Sequence, residues 1–197
     1  MPSVNILLEN IYTELLNKPY YTEETRFVDL TTQAGGALDV PVPVTLGVGG
    51  TSPNGLVTGS GAVITINKTG PYMVKQNFQV SRNSNPGNTE FFFQAQVSTD
   101  NGVTWTGIGN AANRRITNTS TINLFFDVAP LFATAGIQFR NVWAKSSVGG
   151  DPNAPTVGVA EGVLIHTRPS ATLLAAGFED APSAIAVFYR LEGYNYV

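Results

Sequence analysis

The stretch from Gly61 to Val80 constrains the fold more than any other part of the chain. It holds two apolar runs of period two on either side of an Asn67-Lys-Thr-Gly-Pro71 turn. Ala62, Ile64 and Ile66 share one face of the first run, and Tyr72, Val74, Phe78 and Val80 share one face of the second. Successive side chains of a strand point to opposite faces, so this alternation marks sheet with one apolar side. The five-residue connection reads as a β-hairpin. By the same signals, further strands are expected near 26–30, 38–46, 90–98, 103–108, 121–128, 135–143, 156–166 and 185–191, with turn clusters such as 81–88 and 146–155 between them. No motif recurs at a fixed period, which argues against a propeller or solenoid. The fold class expected is all-β, an antiparallel sandwich.

The 197 residues suffice for one self-supporting core. Charged residues make up 13%, about half the usual share, while Gly (20) and Pro (12) are plentiful, so neutral polar turns carry the solubility. A net charge of −3 leaves no footprint for nucleic acid, which needs clustered Lys and Arg. Arg114-Arg115 is the one basic doublet, read as a solvated loop pair. Zero cysteines exclude disulfides, thiolate metal sites and a cysteine nucleophile. Glu9 and Glu14 interrupt the first apolar residues, there is no basic leader, and no run approaches the roughly 18 apolar residues of a membrane span. The expectation is a protein made and kept soluble, with no membrane partner.

Residues 3–17 carry the one convincing helix, with Ser3 as N-cap, Val4, Leu7, Leu8, Ile11, Leu15 and Leu16 at helical spacing, and Lys18-Pro19 as the stop. Pro41 and Pro43 remove two ladder donors on one side, so Val40 to Val44 is expected at a sheet edge or in an extended arm. Strict alternation along Val157, Val159, Glu161, Val163 and Ile165 would put a carboxylate on the apolar face, and a bulge at Glu161-Gly162 would turn it outward. Along Ile122, Leu124, Phe126 and Val128 the opposite face also carries Phe125, as expected of a strand covered by its partner sheet and by another chain. Ile185, Val187, Tyr189 and Leu191 alternate near the C-terminus, either closing their own sheet or pairing with a neighbour's edge. The division expected is a helical arm over 1–20, an extended segment over 21–56, a core over 57–168 and a C-terminal arm over 169–197.

Ser98-Thr-Asp-Asn-Gly-Val-Thr-Trp105 resembles the Asp-box of sialidases at every fixed position. Its local physics is a turn: Asp100 accepts backbone N–H groups, Gly102 takes positive φ, and Trp105 folds under the hairpin. It occurs once, so a structural role is read and no glycosidase. His166 is the sole histidine and reads as a strand-end residue, since no serine sits in a nucleophile-elbow context. Glu179-Asp180 and Asp151-Pro-Asn153 read as solvated acidic corners, with calcium as the other reading. Gly47-Val-Gly-Gly50 lacks the lysine and following helix of a phosphate loop and reads as a flexible connector. No catalytic, cofactor-binding or metal residue is assigned, and the chain is not expected to be an enzyme.

From Val57 to Thr167 the order of signals is similar to the tumour necrosis factor-like jelly roll, found in complement-type globular heads and in virion proteins of tailed bacteriophages. The residues that carry the resemblance are Gly70-Pro-Tyr72, the strand Ile122 to Val128, Ala135-Gly-Ile-Gln-Phe139 and a closing strand Gly162 to Ile165. The family's aromatic-rich ending is replaced there by Leu164-Ile-His166. The resemblance implies a homotrimer packed about a threefold axis, with Ile122, Leu124, Phe125 and Phe139 as candidate interface residues. Together with the cysteine-free, leaderless chain and its two arms, it suggests a phage decoration or cement protein on the capsid surface, made in a host cytoplasm. Its partner would be the major capsid protein lattice, and Leu7, Leu8, Ile11, Leu15, Val187, Tyr189 and Leu191 would attach it. A fibre or spike tip binding a host receptor or surface glycan is the alternative.

Overall fold

The computed structural model describes residues 20–49, 52–83, 89–116, 121–146, 161–164 and 167–192. The helix expected over 3–17, with Leu7, Leu8, Ile11 and Leu15, lies outside them, as do His166, Asp151 and Asn153.

Among the described residues thirteen strands form an antiparallel sandwich: β1 (Tyr20–Asp29), β2 (Gln33–Ala34), β3 (Val42–Pro43), β4 (Val48–Gly49), β5 (Val57–Ser60), β6 (Val63–Ile66), β7 (Gly70–Asn83), β8 (Thr89–Ser98), β9 (Thr106–Ile116), β10 (Ile122–Ala133), β11 (Gln138–Ser146), β12 (Glu161–Leu164) and β13 (Ala184–Glu192). A five-residue helix, α1 (Ala171–Ala175), precedes the last strand. Sheet I runs β10-β7-β13-β1, with β12 and β2 continuing beside the far end of β7. Sheet II runs β5-β6-β11-β8-β9. The short β4 pairs with β1 on one side and β5 on the other, joining the two layers. This is a jelly roll.

The stretch from Gly61 to Val80 is therefore not a hairpin. β6 lies in sheet II beside β5 and β11, whereas β7 lies in sheet I, so residues 67–69 make a corner between layers. The alternation was right about which face is apolar: Ile64 and Ile66 point into the core from one layer, Tyr72, Val74, Phe78 and Val80 from the other. Period two reports a buried face and is silent on the neighbouring strand. The corner is pinned by Tyr72, whose hydroxyl donates to the Lys68 carbonyl at 2.7 Å, and by the Thr69 hydroxyl, which accepts the Ala135 N–H at 3.0 Å. The true local hairpin is β5–β6, closed by Gly61 at φ 71° and Ala62, with Ser60 opposite Val63.

Aromatic rings fill the space between layers. Phe78 stacks on Phe93 at 5.0 Å, Trp143 on Phe93 and Phe91 at 6.2 and 5.9 Å, and Phe188 meets Phe27 and Phe139 edge-on at 5.8 and 5.2 Å. Each such side chain, fully buried, is worth roughly 1.5–3 kcal/mol of transfer free energy. Two amides interrupt this layer. Gln76 and Asn141 are buried on the core faces of β7 and β11, and neither side chain has a hydrogen-bond partner among the described residues.

Several expectations are corrected by the pairing. The segment 184–192, placed in a C-terminal arm, is a central strand between β1 and β7, with Ala184, Ala186 and Phe188 buried. The core thus extends well past residue 168, and β13, not residues 162–165, is the closing strand. Arg114 and Arg115 lie in β9, opposite Phe91 and Glu90, not in a loop. The Glu161-Gly162 bulge is absent, since the register with β7 runs unbroken from Glu161 to Leu164, and Leu164 is the residue that reaches the core. Gly47 and Gly49 are no slack connector: a Cβ on Gly49 would overlap the Phe27 ring, and one on Gly47, at φ 68°, the Val28 carbonyl. Pro43 is accommodated as expected, in a two-residue strand paired on one side to β11.

Candidate functional site

The outer face of sheet I is the feature most open to a partner. Register sets its side chains in rows across four strands. Phe125, Asn77, Ile185 and Val28 make one row from β10 to β1, and Asp127, Lys75, Val187 and Arg26 make the next. Met73 and Tyr189 follow, with the Lys75 ammonium 5.7 Å from the Tyr189 ring centre. Phe125 stands 71% exposed at the β10 edge, and Phe132 is exposed further along that strand.

Of the candidate interface residues, Phe125 alone faces outward. Phe139 is fully buried against Phe188 in its own core, and Ile122 and Leu124 pack on that core from the inner face of β10. Outward and inward positions alternate along β10, so one strand cannot offer all of them to a partner. Val187 and Tyr189, expected in an attachment arm, lie half-buried on this same outer face, while Leu191 is buried.

The far side of the face ends in a cavity of about 660 Å3, lined by Arg26, Val28 and Leu30 of β1 and its exit, and by Arg168, Leu174, Phe178, Glu179, Asp180 and Pro182. The chain from Thr167 to Ala181 builds its outer wall. Thr167 and Ala181 exchange two backbone hydrogen bonds of 2.9 Å, closing the segment into a compact loop. Inside it the Ser170 hydroxyl caps α1, and Gly177 at φ 86° ends it, with Phe178 N–H on the Leu173 carbonyl and Gly177 N–H on the Leu174 carbonyl, both at 3.0 Å. This double bond pattern throws Phe178 outward, 59% exposed, beside Leu30 and Leu173. The sequence places this segment in a C-terminal arm and carries no sign of what it faces.

The Asp-box segment is a turn between β8 and β9, as its residues required. Ser98 Oγ donates to Asp100 Oδ1 at 2.7 Å and accepts the Gly102 N–H at 2.8 Å, Thr104 N–H donates to Asp100 Oδ1 at 2.9 Å, and Trp105 Nε1 donates to the Gly102 carbonyl at 3.0 Å. The Thr104 hydroxyl and N–H and the Ser98 hydroxyl together hold the Asp100 carboxyl down at about 2. Arg140 lies over the Trp105 ring at 4.0 Å while its Nε donates to Gln96 at 2.8 Å. The side chains of Ser98, Asp100, Thr104 and Trp105 all find hydrogen-bond partners inside the turn.

Among the described residues no cluster of His, Cys, Asp and Glu could hold a metal ion, and no helix is long and apolar enough to cross a membrane. Neither a known sequence family nor a curated protein matches the chain. Among solved structures it is similar to murine APRIL at pH 8.0, with a TM-score of 0.51 and 8% identity over 85% of this chain and 98% of that one. Eiger TNF from S. frugiperda follows at 0.49 and 9% (91% and 97% covered), and the globular domain of zebrafish complement 1qA protein at 0.44 and 9% (85% and 96% covered). The likeness to APRIL, at that identity, shows the fold alone, an antiparallel jelly-roll sandwich.

Proposed function

We propose that the chain is a non-enzymatic structural subunit of a tailed-bacteriophage particle, a homotrimeric decoration or cement protein that stabilises the capsid by non-covalent binding. The observation that supports self-assembly is the outer face of sheet I and its β1 margin, where Phe125, Phe132, Leu30, Leu173 and Phe178 stand open to solvent. Large apolar groups gathered on one face mark a surface meant to be covered. Support for the capsid comes from the resemblance of the sequence to phage jelly rolls and from its cysteine-free, charge-poor composition. A rigid sandwich with its polar motif absorbed into a turn fits a building block better than a catalyst.

Light scattering on the purified chain tests the first half and should give three times 21.0 kDa. Gold labelling of native particles tests the second. Signal over the whole head is the expected result, whereas signal confined to fibre ends would replace cementing with recognition of a host receptor or glycan. Adding the protein to undecorated heads should raise the temperature at which they break, because a ligand that binds only the intact lattice stabilises it by mass action.

A further inference from the structure

The geometry points to a binding site for a sugar acid, a pyranose bearing one carboxylate, in the cavity beside β1: Arg26 and Arg168 hold the carboxylate, Glu179 and Asp180 the ring hydroxyls, and Phe178 the apolar C–H face. This goes beyond the assembly reading above and does not depend on it.

The cavity is set in a frame of buried polar contacts. Val28 and Leu30 flank Asp29, which is buried and whose Oδ1 accepts the Thr31 N–H at 2.7 Å and the Ser183 hydroxyl at 3.2 Å. Pro182 precedes Ser183, also buried, whose N–H donates to the Asp29 carbonyl and whose carbonyl accepts the Gln79 N–H, both at 3.0 Å. Arg168 follows Thr167, whose hydroxyl accepts a Gln79 side-chain N–H at 2.6 Å. Lining residues from both walls thus stand next in sequence to residues fixed against the sheet. A site supported in this way has little ordering left to do when a ligand enters. Its volume of about 660 Å3 lies inside the roughly 300–1,000 Å3 of ordinary ligand pockets.

The lining selects the ligand by elimination. Guanidinium groups only donate hydrogen bonds and carboxylates only accept them, so an occupant must bring acceptors for Arg26 and Arg168 and donors for Glu179 and Asp180. A phosphate group, with close to two negative charges, would face those carboxylates as well as the arginines. A single carboxylate can be held bidentately by a guanidinium and adds less repulsion. Among the described residues Arg26, Arg168 and Glu179 make no ion pair within the chain, so no internal bridge has to break. The rest of the lining is apolar, with Phe178 59% exposed and Leu174 and Val28 nearby. An alkyl carboxylate would suit that wall but brings no donor for Glu179 or Asp180. A sugar acid brings all three: one carboxylate, several hydroxyls and a C–H face.

Saturation-transfer NMR on the purified protein, in the assembly it adopts, tests this with D-glucuronate, D-glucose and L-leucine as probes. Glucuronate should bind at least tenfold more tightly than glucose, from which it differs only at the carboxylate, and the preference should shrink as salt rises. The double variant Arg26→Gln, Arg168→Gln should lose the preference, and Phe178→Ala should weaken both sugars alike. These side chains are exposed, so each variant should melt with its parent. Equal binding of glucose and glucuronate overturns the role given to the arginines, and leucine bound more tightly than glucuronate overturns the sugar. No signal from glucuronate at about 20 mM, well above a millimolar dissociation constant, overturns the site itself. Assembly is read separately by light scattering, so each of these failures leaves that reading standing.

Discussion

Replacing Phe188 with alanine asks whether the strand 184–192 belongs to the sandwich. The ring is fully buried and meets Phe27 at 80° and Phe139 at 87°, so it links β1, β13 and β11 across both layers. Truncating a buried phenylalanine costs about 3–5 kcal/mol, as lost transfer free energy and residual cavity. The upper half of that range is expected, because β13 is paired on both sides and its core-facing neighbours Ala184 and Ala186 are too small to lean into the gap. For a chain of this size, about 2–4 °C of Tm accompanies each kcal/mol, so the loss should be about 8–20 °C. Phe188→Leu keeps the bulk and gives up two edge-on ring contacts, each worth about 0.5–1.5 kcal/mol, for a loss of about 1–3 kcal/mol. Val103→Ala, at a site 80% exposed in the Asp-box turn, is the control and should change stability by less than about 0.5 kcal/mol. Urea and thermal melts followed by circular dichroism, at one protein concentration so that assembly is held fixed, decide the matter. A Phe188→Ala variant melting with its parent, or a chain cut before Ala184 that still folds to a β-rich species, would refute the central placement of β13.

Asp100 should stabilise the turn only while ionised. Its folded pKa is depressed from 3.8 to about 2, so its contribution is present above about pH 4 and is lost as pH falls through that window. The Tm gap between the parent and Asp100→Asn should therefore close between pH 5 and 2, and a gap constant over that range would show that the carboxylate is not held by the turn. Gln76→Leu should stabilise the fold by about 1–3 kcal/mol, the cost of burying an amide without partners. A fall in the urea midpoint would show that the amide is hydrogen-bonded in solution.

The sequence made some elements legible and hid others for physical reasons. Ser98 to Trp105 could be read in detail because every interaction of that turn is local, between residues at most a few positions apart. Ile64, Tyr72 and Phe78 were legible as core because alternation reports which side of a strand is dry. What alternation does not report is the neighbour, and both the supposed hairpin at 67–71 and the supposed arm at 184–192 failed on that point. The order of the Pro169 to Pro182 segment, placed in a C-terminal arm, was hidden because it comes from caps and from a bridge between Thr167 and Ala181, which leave no periodic pattern. Phe125 was legible as an outward residue, but the cavity by Val28 was not, because it is assembled from segments some 140 positions apart.

The place of β13 also governs how the protein can be made. Among the described residues β13 alone fills one edge of β1 and the Tyr72 to Phe78 stretch of one edge of β7, and it is the last described strand to leave the ribosome. At synthesis rates of about 5–20 residues per second, the roughly one hundred residues between the end of β7 and the start of β13 take about 5–20 s to appear. Through that interval the nascent chain holds two strands with open hydrogen-bonding edges, each with one apolar face. Rapid production from crowded messages therefore favours strand exchange between half-made copies. Yield of native protein should depend on slow translation or on a chaperone that shields that slot until residues 184–192 arrive.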